Sequence, residues 1–404
     1  MRRGFFKNYV IIIFLATANS ICLADTLKDG EKAFERDDFS QAVKHYQDAL
    51  SEKKSIRAYL GLANAHGRLG QWSKAADAYR SAIEMQAKVP DITLLKNLGK
   101  AEYMSDQFES ALNVFESAYA RQPDHDIAMW LARCFIKTEQ WTRAEYILLE
   151  VVAKGPDDSP ALELLAYLFT QSGKINEAVG IHEKLVRMHP DNTEYYLALA
   201  KAQTAAKDYS QAIDTLEFLT RLKIVSPPEA IRLLADLYIN RNMYRNAALC
   251  YRKIIINSQS PSVEDYFRLG YTYFQNGEYL SAEKTFEQIK QQKPADSRAP
   301  LYLGRIAEKR GETKKARQFY LDAIQIDKTV KQLHLLLADM EYKNENFARA
   351  AVHYSEAMSI GTPSADIHYN HILSLILSEQ FGTAKTAVKE ALKEYPESQK
   401  INNC

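Results

Sequence analysis

Residues Leu94 to Pro123 read LLKNLGKAEYMSDQFESALNVFESAYARQP. Apolar side chains recur at spacings of three and four on both sides of a short polar break at Ser105–Asp106, so two amphipathic helices meet there. Gly99 and Ala111 are small enough to let the two backbones approach closely, while Leu95, Phe108 and Phe115 fill the space around them. One such hairpin cannot bury both of its apolar stripes, so it has to stack on neighbours of the same kind.

Those neighbours are present. Ala111 belongs to a series, Ala42, Ala75, Ala111, Ala144, Ala178, Ala212, Ala247, Ala282, Ala316, Ala350 and Ala384, with steps of 33 to 36 residues. Three residues before each alanine the side chain is aromatic in nine of the eleven cases, Ile175 and Thr313 being the exceptions. Twelve residues before, it is Gly or Ala in ten of eleven, and Leu precedes that small residue in nine. Pro123, Pro156, Pro190, Pro294 and Pro396 stop their second helices at one phase, because proline disfavours helix in the residue before it.

This pattern of Leu-Gly/Ala, aromatic, Ala, aromatic, Ala and Pro resembles the tetratricopeptide repeat over residues 25–396. The resemblance implies an all-α fold, a right-handed superhelical solenoid of about eleven stacked antiparallel helix pairs. Two departures lie at the ends: the first helix of unit one (Thr26 to Arg36) is polar, and the last unit has His371 and Ile372 where Leu and Gly or Ala are expected. Terminal repeats face water on one side and are commonly atypical. The final helix near Thr383–Glu394 already carries a soluble outer face, so residues 397–404 are expected to be a polar tail with no separate capping helix. The double proline of Val225-Ser226-Pro227-Pro228 reads as a longer loop rather than a domain boundary.

Composition agrees with a helical array. The chain has 404 residues, 46% of them hydrophobic and 25% charged, with only 15 Gly and 12 Pro to interrupt helices. A single core stops growing near ~250–300 residues, so a chain this long has to divide or repeat. Lys plus Arg number 52 against 51 Asp plus Glu, which gives no net field to recruit nucleic acid or a lipid surface.

The amino terminus reads as an address. Arg2, Arg3 and Lys7 precede the apolar run Tyr9–Ala18, and small residues surround Ala24 before Asp25, the pattern of a cleavable signal peptide over 1–24. The run is about half the roughly 20 residues that span a bilayer, so no permanent membrane anchor is expected. Cys22 raises a lipidation alternative, but Asn19, Ser20 and Ile21 do not supply the residues such a site uses. Cys134, Cys250 and Cys404 remain after cleavage, too few for a disulfide framework, although Cys404 could pair with another chain. With no Asn-x-Ser/Thr acceptor in the chain, the expected setting is a bacterial periplasm or a secreted location.

No phosphate-cradling glycine loop, metal-spaced Cys pair or nucleophile elbow occurs, so no cofactor, metal site or catalytic site is expected. His368 and His371 share a helical face but occupy packing positions and lack a third ligand nearby. The resemblance instead points to the concave face, lined by first helices. There the phases bring Lys96, Lys100, Arg133 and Lys137 into a compact basic patch, and Arg232, Phe267, Tyr271, Phe274, Leu301 and Arg305 into an aromatic stretch. Glu163, Glu194 and Glu229 interrupt any basic stripe between them. An equally available reading makes the lysines an ordinary solvated face and the aromatics packing between helices. The five-residue carboxylate clamp of some family members has two matches, Asn64 and Asn97, while Leu60, Asp126 and Trp130 replace its cations. The expected function is a non-enzymatic scaffold or adaptor that binds other proteins or peptide segments along a preformed groove. The competing reading is a soluble component of a polysaccharide export or secretion apparatus that binds an anionic polymer.

Overall fold

The computed structural model describes residues 26–86, 90–221 and 227–404. The signal segment 1–24, and Val225 and Ser226 of the double-proline loop, lie outside the described residues. Among those residues there are 23 helices and no strand, and no helix is long and apolar enough to cross a membrane.

The chain divides into two compact units, one ending at Asp208 and the other beginning at Tyr209. In the first, the first helices α1 (26–35), α3 (Ile56–Arg68), α5 (Ile92–Met104), α7 (His125–Lys137), α9 (Ser159–Gln171) and α11 (Thr193–Ala205) alternate with second helices. These are α2 (Phe39–Glu52), α4 (Trp72–Glu84), α6 (Phe108–Arg121), α8 (Trp141–Lys154) and α10 (Ile175–Met188). The other unit opens with α12 (Tyr209–Arg221), a second helix. It continues with first helices α13 (Pro228–Asn240), α15 (Val263–Gln275), α17 (Arg298–Lys309), α19 (Lys331–Lys343) and α21 (Ala365–Leu377). Their partners are α14 (Tyr244–Asn257), α16 (Tyr279–Gln292), α18 (Thr313–Ile326), α20 (Phe347–Ser359) and α22 (Phe381–Glu394), followed by a short α23 (Gln399–Asn402). Within each unit every helix from α2 onward packs on the next, and first helices of successive pairs also touch, as α5 with α7, α7 with α9 and α15 with α17. The fold is an all-α solenoid built from stacked helix pairs.

The periodic alanines are buried all along the stack. Ala42 through Ala350 are all 0% exposed, and Ala384 is 4% exposed. The turn inside each pair is equally regular. Five residues before every periodic alanine stands a left-handed residue, from Asp37 (φ 58°) to Glu379 (φ 60°), and only four of the eleven are glycine. The next residue donates its N–H back across the turn to close the first helix, as Gln107 to the Glu102 carbonyl at 2.9 Å and Lys174 to that of Phe169 at 2.8 Å.

Buried acids tie one pair to the next. Glu102 of α5 receives Arg80 of α4 at 2.9 Å, and Glu341 of α19 receives Arg317 of α18 at 2.5 Å together with Asn346 at 2.9 Å. The carboxyl end departs from the expected polar tail: α23 packs on α21 and α22, and Ile401 is fully buried among Ile372, Leu375 and Ala391. One apolar residue in an otherwise polar octet is enough to seat that helical turn.

The turn geometry gives a direct test. Ala in place of Gly173 (φ 79°) has to adopt a left-handed backbone that a Cβ disfavours. Gly173→Ala is therefore expected to lower stability by about 1 kcal/mol in urea unfolding, while Glu139→Gly, at a left-handed non-glycine position (φ 57°), is expected to raise it; no change in either contradicts the assignment.

Histidine burial makes a second prediction. Burial pushes His66, His182, His334, His353 and His371 below the usual imidazole range, and the Nδ1 atoms of the last four have no hydrogen-bond partner among the described residues. Below about pH 6.5 the unfolded chain takes up protons that the folded chain refuses. The urea midpoint is expected to fall between pH 7.5 and 5.5; a flat profile over that interval contradicts the burial.

Candidate functional site

The basic patch expected on α5 and α7 is in large part neutralised where it stands. Lys96 Nζ lies 3.2 Å from Asp124 Oδ2 and 2.7 Å from Asp126 Oδ2, and Lys100 Nζ lies 3.1 Å from the same Asp126 oxygen. Both aspartates sit at the α7 N-terminus, where Asp124 also caps the helix by accepting from the Asp126 N–H, and a negative charge there is favoured by the helix dipole. Burial works to raise the Asp126 carboxyl, but the two ammonium groups outweigh it and hold it below the usual range. The Lys96 ammonium is raised in turn by its hydrogen bond to Asp126. The other two cations lie on rings: Arg133 over Trp130 at 5.6 Å and Lys137 over Phe108 at 5.5 Å. Neither meets a carboxylate among the described residues.

Asn64 and Asn97 are brought together. Both line a cavity of about 340 Å³ formed by α1, α3, α4 and α5, with Phe34, Arg68, Trp72 and Lys100 around it. Asn64 accepts a hydrogen bond from the Tyr79 hydroxyl at 2.5 Å, while the half-buried Asn97 carboxamide has no hydrogen-bond partner among the described residues. Asp126 and Trp130 stand where the clamp pattern needs cations, so an acid and an indole replace the expected positive charge. A second cavity, about 440 Å³, lies between α6 and α8 and was not anticipated; Leu131 and Phe135 contribute to it, and Tyr146 on its lining is 69% exposed.

In the other unit Arg232 is not a free groove cation. Its Nε and Nη2 meet Asp265 Oδ1 and Oδ2 at 2.9 and 3.0 Å. Asp265 is 3% exposed and also completes the capping box of α15 with Ser262. The pair is thus a tie between α13 and α15. Phe267, Tyr271 and Phe274 do converge, but on a residue that sequence reasoning passed over. Tyr302 of α17 meets all three edge-on at 5.5 to 6.0 Å and stacks on Phe286 at 5.0 Å. Arg305 lies over Tyr302 at 5.3 Å, and Arg298 over Phe267 at 4.2 Å. Phe267 and Phe274 pack against the buried cluster of Phe286, Ile289 and Leu303, so the aromatic stretch is core at its base and surface only at its rim.

His368 and His371 are buried in α21, and His368 Nε2 faces Glu394 Oε2 at 3.3 Å. Among the described residues no group of three or more His, Cys, Asp or Glu converges in a way that could hold a metal ion.

The hub position of Tyr302 separates the core and rim roles. Tyr302→Ala is expected to lower stability by about 2–4 kcal/mol, whereas Tyr271→Ala, whose one ring–ring contact among the described residues is with Tyr302, is expected to cost less than about 1 kcal/mol in the same urea titration. Equal losses contradict the hub assignment.

Two sequence-family models, each described as tetratricopeptide repeat, match the chain, one over residues 103–168 and 169–221 and the other over 27–91 and 267–330. Among curated relatives, "BBSome complex member BBS4" of Bos taurus is 22% identical over 311 residues, covering 76% of this chain and 58% of its own length. "Tetratricopeptide repeat protein 21B" of Xenopus laevis is 19% identical, with 78% of this chain and 23% of its own length covered. "DnaJ homolog subfamily C member 3" of Mus musculus is 26% identical over 216 residues, covering 50% and 43%. The chain thus spans less than two thirds of the length of each of these relatives. Among solved structures, a tetratricopeptide repeat protein from Parabacteroides merdae aligns over 62% of this chain and 98% of its own at 16% identity and a TM-score of 0.45. Yeast Tom70 aligns over 93% and 92% at 16% identity and a TM-score of 0.38. With the matched segments falling in both units, over the same hairpins whose alanines and turns repeat through the fold, the chain belongs to the tetratricopeptide repeat family.

Proposed function

We propose that this protein is a non-enzymatic scaffold that docks segments of partner proteins on the first-helix faces of its repeats, and that it does so outside the bacterial cytoplasm, after removal of residues 1–24. The observation that carries the docking role is the cavity beside α3 and α5, where Asn97, whose carboxamide has no hydrogen-bond partner among the described residues, lies next to Asn64, Arg68 and Trp72. A carboxamide offers both a donor and an acceptor, which suits the alternating N–H and C=O groups of an extended chain. A preformed groove also limits the ordering entropy that binding costs. Relatives described as a complex member and as an Hsp70-Hsp90 organizing protein support an assembly role. The basic, apolar, small-residue order of the first 24 residues supports export.

Placing a photoreactive residue at Asn97 in the cell is expected to yield discrete crosslinked proteins. The same residue at Glu109, on the exposed start of α6, is expected to yield none. Identical products at both sites, or none at either, contradict first-helix docking. The mature chain is expected to begin at Asp25 in the exported fraction; an intact amino terminus in the cytoplasm contradicts the location.

A further inference from the structure

Two places in the molecule are built alike, one in each unit. Of the eleven first helices only α7 and α17 carry an aromatic residue two before the small repeat position and an arginine one after it: Trp130, Ala132, Arg133 and Tyr302, Gly304, Arg305. Beneath each ring lies a phenylalanine from the second helix of the preceding pair. Phe115 is stacked on Trp130 with 7° between planes, and Phe286 on Tyr302 with 17°. Each phenylalanine reaches that depth because the first helix beside it has a glycine. A Cβ on Gly99 would stand 2.7 Å from the Phe115 ring, and one on Gly270 2.9 Å from Phe286. Tyr103 and Phe274, four residues after those glycines, close the edges at 5.4 and 5.6 Å. The two upper rings are therefore fixed from below and from the side.

The arginines on top differ from the other half-buried arginines of the fold. Arg80, Arg298, Arg310 and Arg317 each meet a carboxylate: Glu102, Asp296, Glu283 and Glu341. Arg133 and Arg305 are half-buried on the first-helix face, lie on Trp130 and Tyr302, and meet no carboxylate among the described residues. A guanidinium stripped of part of its water and offered no anion binds one strongly, and its planar fork matches a carboxylate. Lys137 at the first place adds positive charge, and Tyr271 at the second adds apolar surface.

We propose that each unit carries one docking platform for an acidic peptide segment, in which a partner Asp or Glu carboxylate takes the fork of Arg133 or Arg305 and a neighbouring apolar side chain lies against Trp130 or Tyr302. The occupant's sign comes from charge complementarity, and its peptide nature rests on the scaffold reading, whose partner class it specifies. A partner with two acidic motifs gains from engaging both platforms wherever its linker can span them.

The test uses the full chain and a short fluorescein-labelled peptide of alternating Glu and Leu, with the Gln-Leu peptide and polygalacturonate as separate probes. The Glu-Leu peptide is expected to bind at two equivalents per chain, about tenfold tighter than the Gln-Leu peptide, and to weaken with added salt. Arg133→Gln and Arg305→Gln are each expected to remove one equivalent, and the double variant both, with the melting transition unchanged. Undiminished Glu-Leu binding by the double variant, equal binding of the Gln-Leu peptide, or polygalacturonate held by these arginines in place of the peptide overturns the proposal. Partner crosslinking at Asn97 reports on the scaffold reading independently. If those crosslinks persist while the double variant binds the acidic peptide as the wild type does, the platforms fail and the scaffold stands.

Discussion

The rest of the structure depends on one steric constraint, the close packing of helices at positions with almost no side chain. Ala111 and its ten counterparts bring nothing larger than a methyl group to the packed side of their helices, and ten of these eleven residues are completely buried. On the first helices, Gly99, Gly270 and Gly304 let an aromatic ring reach the helix backbone itself; the Tyr320 ring would stand 2.4 Å from a Cβ on Gly304. Close approach is what brings dispersion contacts to interior density, and a single added methylene at such a point is felt by both neighbours.

From that constraint the surface follows. Helices held this close put the first helices of successive pairs side by side, and the side chains between them have to settle their charges locally. Some do so completely: Arg232 with Asp265, Lys96 and Lys100 with Asp126. Others are left with a ring and, among the described residues, no anion. The stability of the stack and the chemistry of its first-helix face thus share one origin, because the rings that Gly99 and Gly270 admit are the floors on which Trp130 and Tyr302 rest.

The fold was almost wholly legible in the sequence, since a small residue at a fixed period has few physical explanations other than close helix contact. The site was less so. The neutralisation of Lys96 and Lys100 was hidden because their partners lie 26 to 30 residues on, at the start of the next first helix, a separation that no periodicity within one helix reveals. Tyr302 was missed because its phase holds Lys28, Gly61, Asn97 and Leu164 in other pairs, so it has no repeat signature. The left-handed turn residues escaped notice for a related reason: Asp, Gly, Glu, Lys and Asn all serve there, the geometry being imposed by the helices on either side. The buried Ile401 shows the converse, one apolar residue overriding a polar context.

If pairs are stable because they lean on one another, damage at one close contact has to spread to its neighbours and fade with distance. Hydrogen exchange on Gly99→Leu, whose side chain collides with the Phe115 ring, measures this directly. The expected pattern is the greatest loss of amide protection in α5 and α6, a smaller loss in α4 and α7, and near-native protection in α1 and α10. Loss confined to α5 and α6, or equal loss throughout the unit that ends at Asp208, contradicts the account.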